Sequence, residues 1–167
     1  MNKKSNIGLI GLAVMGENLA LNMERNGFQV SVYNRAEGAE AHVVEHFMSG
    51  RGAGKNFLGF TELRDFVESL ERPRKIMMMI RAGRPVDLVI EALLPFLSEG
   101  DVIIDGGNSN WQDSERREAE LRQRGVYFVG CGISGGEEGA LNGPAIMPGG
   151  AKEAWPLIEP IFTRIAA

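Results

Sequence analysis

A strand, turn, helix and strand pattern near the amino end constrains the fold of this chain more than any other feature. An apolar run from Ile7 to Ile10 enters the turn Gly11-Leu12-Ala13-Val14-Met15-Gly16. A helical pattern over 15–26 and a second apolar run over 29–33 follow. This order predicts a βαβ unit whose turn lets the backbone approach a pyrophosphate at the amino end of the helix.

The end of the second strand indicates which nicotinamide cofactor the unit would take. A carboxylate at that place would accept the ribose hydroxyls of NAD, whereas this chain has Asn34 and Arg35. An amide and a guanidinium suit a 2′-phosphate instead. We therefore expect NADP as the cofactor.

A second glycine motif fits the strict spacing better but lacks the right context. Residues Gly130 to Gly135 match G-x-G-x-x-G letter for letter, whereas the first turn has Ala13 where the pattern prefers glycine. About twenty residues beyond Gly130 lie Pro148 and Gly149, with no charged residue that could hold a ribose. We therefore place the cofactor at the first turn.

Composition limits the chain to one ordinary domain. Its 167 residues, 44% of them hydrophobic, are enough for a single core. The net charge of −4 is spread without blocks, so we expect neither a nucleic acid nor a membrane as partner. The single cysteine, Cys131, offers no disulfide framework, which suits a cytoplasmic location.

Short apolar runs alternate with helical patterns along the chain, which is typical of crossover connections and a parallel sheet. The predicted strands cover 7–10, 29–33, 75–80, 102–105, 127–131 and 145–147. The predicted helices cover 15–26, 37–49, 62–70 behind a Thr61 cap, 86–96, 111–124 and about 156–164, and 50–59 is predicted as a loop. The expected fold is α/β, a Rossmann-type doubly wound, mainly parallel sheet with helices on both faces.

Small and polar residues follow two later strands, at the edge where open α/β sheets bind ligands. In Asp105-Gly106-Gly107-Asn108-Ser109 the glycines clear space for a flat ring, and the Asn108 amide could bridge a nicotinamide and a substrate hydroxyl. In Ser134-Gly135-Gly136 backbone N–H groups and a hydroxyl suit a carboxylate, and Glu137 and Glu138 are expected to begin a short helix. Either turn alone is equally well explained as a capped strand-to-helix connection.

Two features are better explained without a ligand. His42 and His46 have a spacing that can begin a metal site, but the sequence offers no third ligand near them, so we expect no metal. The run Met77-Met78-Met79 is interpreted as buried strand filler.

Five motifs together resemble the decarboxylating 6-phosphogluconate dehydrogenase family. They are the first turn, Asn34-Arg35, residues 105–109, residues 134–140, and Gly143-Pro144 through Met147-Pro148-Gly149-Gly150. The resemblance implies that the first turn holds the NADP pyrophosphate and that Asn34-Arg35-Ala36 holds the 2′-phosphate. It also implies that Ile80-Arg81-Ala82 lies beside the nicotinamide, that Asn108 touches both cofactor and substrate, and that Ser134-Gly135-Gly136 holds 6-phosphogluconate.

This chain departs from the family pattern at two positions and in extent. Ala36 replaces the usual Thr, which removes a hydroxyl, and Arg81 replaces the usual Lys. In the family a long all-helical region follows this domain and supplies the base Lys and the acid Glu, which would lie beyond Ala167. We therefore expect residues 1–167 to form an NADP-binding domain with no catalytic residue of its own, one that binds NADP without turnover.

For the full-length parent the resemblance implies an enzyme of the pentose phosphate pathway. It would convert 6-phosphogluconate to ribulose 5-phosphate and CO₂ with NADP, as a cytoplasmic homodimer. Two alternatives stay open. Another β-hydroxyacid dehydrogenase, such as one acting on 3-hydroxyisobutyrate, would share the fold but is not expected to carry Gly-Gly-Asn-Ser or Gly-Glu-Glu-Gly-Ala. A non-catalytic NADP-binding module is the second alternative.

Overall fold

Seven short strands form one sheet in the computed structural model, which describes residues 3–167. The strands are β1 (Ile7–Ile10), β2 (Val30–Tyr33), β3 (Phe57–Phe60), β4 (Lys75–Met78), β5 (Val102–Asp105), β6 (Tyr127–Ser134) and β7 (Ala145–Gly150). Their order across the sheet is β3-β2-β1-β4-β5-β6-β7. The first six are parallel, and β7 pairs antiparallel with β6. The strand order reverses between β1 and β4, which is where such sheets bind ligands.

Helices connect the strands and cover both faces of the sheet. They are α1 (Val14–Arg25), α2 (Val43–Ser49), α3 (Leu63–Glu68), α4 (Arg84–Leu93), α5 (Trp111–Arg122), α6 (Gly136–Asn142) and α7 (Trp155–Ile165). Short 3₁₀ turns lie at Gly38–Glu40, Leu94–Phe96 and Lys152–Ala154. The predicted α/β fold with a mainly parallel sheet is confirmed.

The sheet divides the apolar core into two layers. Successive strand residues point to opposite faces, so Met77 joins the layer that contains Leu19 and Phe162, while Met78 joins the layer that contains Phe66. Met77 and Met78 are fully buried and Met79 is half-buried. Met77 and Met78 are therefore buried strand filler, as predicted, whereas Met79 lies just beyond β4.

Two segments near the amino-terminal half differ from the prediction. The stretch 50–59 was expected to be a loop, but Phe57–Phe60 forms edge strand β3 and pairs with β2. A four-residue strand that contains Gly59 and follows other glycines is hard to recognise from its own residues. It forms by pairing with β2, and its buried Phe57 packs on Phe47 of α2. The predicted helix over 37–49 is broken into a 3₁₀ turn at Gly38–Glu40 and the shorter α2.

Two local predictions are also wrong. Helix α3 begins at Leu63 with Glu62 at the cap position, so Thr61 is not the cap. Strand β6 continues to Ser134 rather than ending at Cys131, because its later residues pair with β7. Five of the six residues of the strict G-x-G-x-x-G match at 130–135 therefore lie within β6, and only Gly135 lies in the turn before α6.

A buried amide fastens α1 to the end of the chain. The side-chain nitrogen of Asn22 donates to the carbonyls of Ala140 at 3.1 Å and Ile165 at 3.0 Å. Nearby, Arg25 donates to the carbonyl of Leu141. Helices α1, α6 and α7 are thus held together by hydrogen bonds as well as by apolar packing. Within residues 3–167 no helix is long and apolar enough to cross a membrane.

Candidate functional site

The turn after β1 brings the chain close to the end of β4. Gly11 has a φ of +102°, and a Cβ built on it would lie 2.4 Å from the Met79 carbonyl oxygen. A side chain is therefore excluded there by both conformation and space. Ala13, where the pattern prefers glycine, has an ordinary extended backbone with φ −73° and ψ −177°. Alanine consequently fits the turn without strain.

The amino end of α1 is open. Ala13 is the cap residue and makes no side-chain hydrogen bond to the helix, and both Ala13 and Val14 are exposed. The first N–H groups of a helix have no partner within it, and the helix dipole favours an anion at this end. The turn can therefore receive a pyrophosphate, as its sequence predicts.

Asn34 braces this turn from the end of β2. The backbone N–H of Leu12 donates to Asn34 Oδ1 at 2.9 Å, and Asn34 is buried. Asn34 Nδ2 donates to Glu40 Oε1 and to the Arg35 carbonyl, both at 3.1 Å. The amide that sequence analysis assigns to a 2′-phosphate is thus engaged within the protein, and its geometry is that of a support for the first turn.

Arg35 extends into solvent beside an acidic partner. Its Nε donates to Glu40 Oε2, and the side chains are 66% and 38% exposed. The hydrogen bond to Glu40 raises the pKa of Arg35, and the hydrogen bonds from Arg35 and Asn34 lower the pKa of Glu40. Ala36 is exposed next to them. Arg35 is therefore exposed enough to contact a ligand, but its positive charge is already paired with the Glu40 carboxylate.

The turn after β5 is held by a buried carboxylate. Asp105 accepts the backbone N–H of Gly107 at 2.9 Å on one oxygen and the hydroxyl of Ser109 on the other. Between them Asn108 adopts a φ of +58° and is exposed, a left-handed conformation that asparagine tolerates well. The Asn108 amide is thereby presented at the carboxyl edge of the sheet.

The turns after β1, β4 and β5 meet at this edge. A Cβ on Gly107 would lie 2.4 Å from the Ile80 carbonyl oxygen, just as one on Gly11 would meet Met79. Arg81 and Ala82, which continue the β4 turn, are exposed. Three of the segments predicted to touch the cofactor therefore form one continuous surface.

A buried arginine supports two of these turns from behind. Arg117 Nε donates to Asp87 at 2.9 Å, and Arg117 Nη2 donates to the Gly83 carbonyl at 3.1 Å. Arg117 Nη1 lies 3.6 Å from Asp105 Oδ2, and the Arg117 side chain is only 2% exposed. The hydrogen bonds from Arg117 lower the pKa of Asp87. Arg117 thus links the start of α4 to the turn that carries Asn108.

The second predicted substrate turn follows β6. Ser134 is exposed, and Gly135 and Gly136 have φ values of +130° and +65°. Glu137 and Glu138 lie in the first turn of α6, so the predicted short helix is confirmed. The turn can present backbone N–H groups and a hydroxyl to an anion, as its sequence predicts.

The last described residue lies beside the loop that follows α6. The backbone N–H of Ala167 donates to the Pro144 carbonyl at 3.0 Å, and a Cβ built on Gly143 would lie 3.0 Å from the Ala167 Cα. Ala167 itself is exposed, and its methyl side chain cannot carry a proton. The location of the base Lys and the acid Glu beyond Ala167 stays a prediction.

An open groove of about 850 Å³ lies between α5 and the antiparallel strands β6 and β7, and its lining residues include Asn108, Trp111, Cys131 and Met147. Burial raises the pKa of the Cys131 thiol to about 12. The thiol is therefore protonated at neutral pH and is no nucleophile.

The histidines are placed apart from these turns. His42 lies before α2, where its ring is 3.3 Å from Glu45, and its side chain is 85% exposed. Among residues 3–167 no group of three His, Cys, Asp or Glu side chains could hold a metal ion.

Comparison with known proteins assigns the family. A family model described as the NAD binding domain of 6-phosphogluconate dehydrogenase matches residues 6–167. The chain belongs to this family. A relative named 6-phosphogluconate dehydrogenase, decarboxylating, from Chlamydia pneumoniae is 62% identical over 164 residues, which cover 98% of this chain and 33% of the relative.

Solved structures agree with this assignment to the 6-phosphogluconate dehydrogenase family. The enzyme from Plasmodium falciparum, described in its apo form and in complexes with NADP⁺ and with its substrate 6-phosphogluconate, matches with a TM-score of 0.88 and 39% identity. The match covers 96% of this chain and 34% of that enzyme. The chain thus spans about a third of the length of these relatives.

A more distant structure bears on the alternative. The 3-hydroxyisobutyrate dehydrogenase of Mycobacterium tuberculosis matches with a TM-score of 0.80 but only 18% identity, over 98% of this chain and 52% of that enzyme. This likeness establishes a common fold and nothing about the substrate. The family match therefore favours the 6-phosphogluconate dehydrogenase interpretation.

Two residues that the sequence interpretation missed contact the predicted site. Glu40 lay inside a helix predicted over 37–49, where nothing distinguished it as a partner of Arg35. Arg117 follows Arg116 in a charged helix, and the sequence does not separate the buried arginine from its exposed neighbour.

Proposed function

We propose that residues 1–167 are the NADP-binding domain of a decarboxylating 6-phosphogluconate dehydrogenase. The observation that carries this proposal is the meeting of the β1, β4 and β5 turns at one edge, with the open end of α1 beside them and Arg35 at the end of β2. The Plasmodium falciparum enzyme, described in complexes with NADP⁺ and with 6-phosphogluconate, adds support.

The cofactor would follow the strand order along this edge. Arg35, supported by Asn34 and next to Ala36, would receive the 2′-phosphate, and the turn from Gly11 to Gly16 would receive the pyrophosphate. Ile80-Arg81-Ala82 and Asn108 would border the nicotinamide. Bound NADP supplies the acceptor for a hydride. The open amino end of α1, which has no side-chain cap, fits an anion of this kind.

The substrate would lie next to the ring. Asn108 can donate and accept at once, so it would orient a substrate hydroxyl toward the nicotinamide, and Ser134-Gly135-Gly136 would hold the substrate carboxylate. Loss of hydride from C3 and of the hydroxyl proton gives a β-keto acid. Release of CO₂, with a proton gained by the C3 oxygen, then leaves an enediol. This becomes ribulose 5-phosphate when its C2 carbon gains a proton and the C3 hydroxyl loses one.

The proton steps belong to the rest of the parent enzyme in this proposal. The base Lys and acid Glu of the family would lie beyond Ala167, in the helical region that follows the cofactor domain, so residues 1–167 alone would bind NADP without turnover. The parent would act in the pentose phosphate pathway of the cytoplasm as a homodimer.

Titration calorimetry tests the central claim. The purified chain is expected to bind NADP with one site per chain, and 2′,5′-ADP, which carries only the adenosine half, is expected to compete. Absence of saturable NADP binding by a folded chain would contradict the proposal. For the substrate, the full-length parent is expected to reduce NADP with 6-phosphogluconate and not with 3-hydroxyisobutyrate.

A further inference from the structure

We propose that Glu40 is a specificity-determining residue that limits how strongly this domain prefers NADP over NAD. The inference rests on the proposed function, because it takes Arg35 as the ligand of the 2′-phosphate. It goes further by naming an acidic residue that acts against that ligand.

The carboxylate of Glu40 joins the two residues at the end of β2. Its Oε1 accepts from Asn34 Nδ2 at 3.1 Å, and its Oε2 accepts from Arg35 Nε. Asn34 in turn accepts the backbone N–H of Leu12. A single chain of hydrogen bonds therefore runs from the pyrophosphate turn through Asn34 and Glu40 to Arg35.

The charges at this place oppose a phosphate. Arg35 carries the one positive charge of the segment 34–40, while Glu37 and Glu40 carry two negative charges. Both glutamates act electrostatically on Arg35 and raise its pKa. A 2′-phosphate brings a further charge of about −1.5 to −2, so it meets a segment whose net charge is already negative.

Arg35 can bind the phosphate only in competition with Glu40 or beside it. Within residues 3–167 the terminal nitrogens of Arg35 make no hydrogen bond, so they can reach a ligand while Nε stays with Glu40. In that arrangement the phosphate lies near the Glu40 carboxylate and is repelled. If Arg35 turns away instead, its hydrogen bond to Glu40 is lost. Either route weakens NADP binding and leaves NAD binding unaffected, because NAD lacks the 2′-phosphate.

Glu40→Gln removes the negative charge with the smallest change in side-chain shape. The glutamine oxygen can still accept from Asn34 Nδ2, so the support of the first turn is retained, whereas the glutamine nitrogen cannot accept from Arg35 Nε. Glu37→Gln is the matched control. It removes the same charge two residues along the chain from Arg35, at a side chain that makes no hydrogen bond within residues 3–167.

The experiment measures dissociation constants for NADP and NAD on the wild-type chain, Glu40→Gln, Glu37→Gln, Arg35→Ala and the Arg35→Ala/Glu40→Gln double variant. Glu40→Gln is expected to tighten NADP binding by about two- to fivefold and to change NAD binding by less than about twofold, in line with exposed ion-pair strengths. Glu37→Gln is expected to have a clearly smaller effect. The gain from Glu40→Gln is expected to be smaller in the Arg35→Ala background, because the part that comes from competition for Arg35 is lost there and only the repulsion between Glu40 and the phosphate remains.

The outcomes separate this inference from the proposed function. If Arg35→Ala abolishes the preference for NADP but Glu40→Gln leaves the NADP to NAD ratio unchanged, Glu40 has no part in specificity and the function stands. A Glu40→Gln variant that weakens both cofactors equally would show that Glu40 only supports the turn, which also overturns the inference. If Arg35→Ala leaves the ratio unchanged, the assignment of the 2′-phosphate to Arg35 fails first.

Discussion

The backbone N–H of Leu12 donates to the side-chain oxygen of Asn34 across 22 residues of sequence. The bond fixes the turn after β1 from the end of the neighbouring strand. Under the proposed function, Asn34 would therefore serve the part of the site that NADP and NAD share, whereas Arg35 would face the part in which they differ.

Asn34→Ala is expected to weaken NADP and NAD by the same factor. The variant leaves the Leu12 N–H without its partner, which also lowers the free energy of unfolding by about 1 to 3 kcal/mol. Calorimetric titration of both cofactors and urea unfolding provide the two measurements. As a control, Asn110→Ala removes the side-chain cap of α5, so it should lose stability yet keep its affinity for 2′,5′-ADP. A loss confined to NADP would instead make Asn34 a direct 2′-phosphate ligand.

The isolated chain is expected to show no reduction of NADP when 6-phosphogluconate is supplied. General acid and base groups each contribute on the order of 10² to 10⁴-fold, and the proposal places both outside residues 1–167. Absorbance of the reduced nicotinamide, followed with increasing amounts of purified chain, gives the measurement. A rate of NADP reduction that rises in proportion to the amount of purified chain would mean that a proton carrier lies within residues 1–167.

Arg117→Met is expected to lower the free energy of unfolding by about 3 kcal/mol or more, because it leaves the buried Asp105 without its cation. Arg116→Met is the matched control. Arg116 also contacts Asp87 but is 44% exposed, so its loss should cost no more than about 0.5 kcal/mol. Urea unfolding of both variants compares them, and equal losses would contradict the role given to burial.

Asp87 is expected to make stability depend on acid pH. Hydrogen bonds from Arg117 lower its pKa below the ordinary value of 3.8. A carboxyl group with a lowered folded pKa stabilises the fold above its unfolded pKa, and that contribution disappears as the pH falls through the folded value. The difference in unfolding free energy between the wild-type chain and Asp87→Asn should therefore be full at neutral pH and shrink below about pH 4. A difference that grows on acidification would contradict this.

The central strands were predictable because burial on both faces leaves a continuous apolar run. The segments 7–10 and 102–105 were predicted with the bounds that the structure has. The edge strand Phe57–Phe60 was not, since its formation depends on pairing with β2 rather than on its own residues. Local sequence identifies strands that are buried on both faces, but not an edge strand that is recognised only by its pairing with β2.

The candidate site divides in the same way. Two glycine-rich turns, those after β1 and β5, were visible in the sequence, and the structure places both against the turn after β4. Glu40 and Arg117 were not visible as site residues. Arg117 contacts Asp87 thirty residues away, and Glu40 contacts Arg35 through a turn where a regular helix was expected. Contacts of this kind depend on the assembled fold and leave no periodic pattern.

The amide of Asn22 sets a lower limit on how small a nucleotide-binding module can be made from this chain. An engineer who stopped at the last strand would remove the Ile165 carbonyl that Asn22 binds, together with Ile158 and Phe162, which cover one layer of the core. Helix α1, which begins at the turn after β1, would then expose apolar surface, and the Asn22 amide in its last turn would keep only its hydrogen bond to the Ala140 carbonyl. The turn after β1 can therefore be transferred to another protein only together with α7, which lies far away in the sequence.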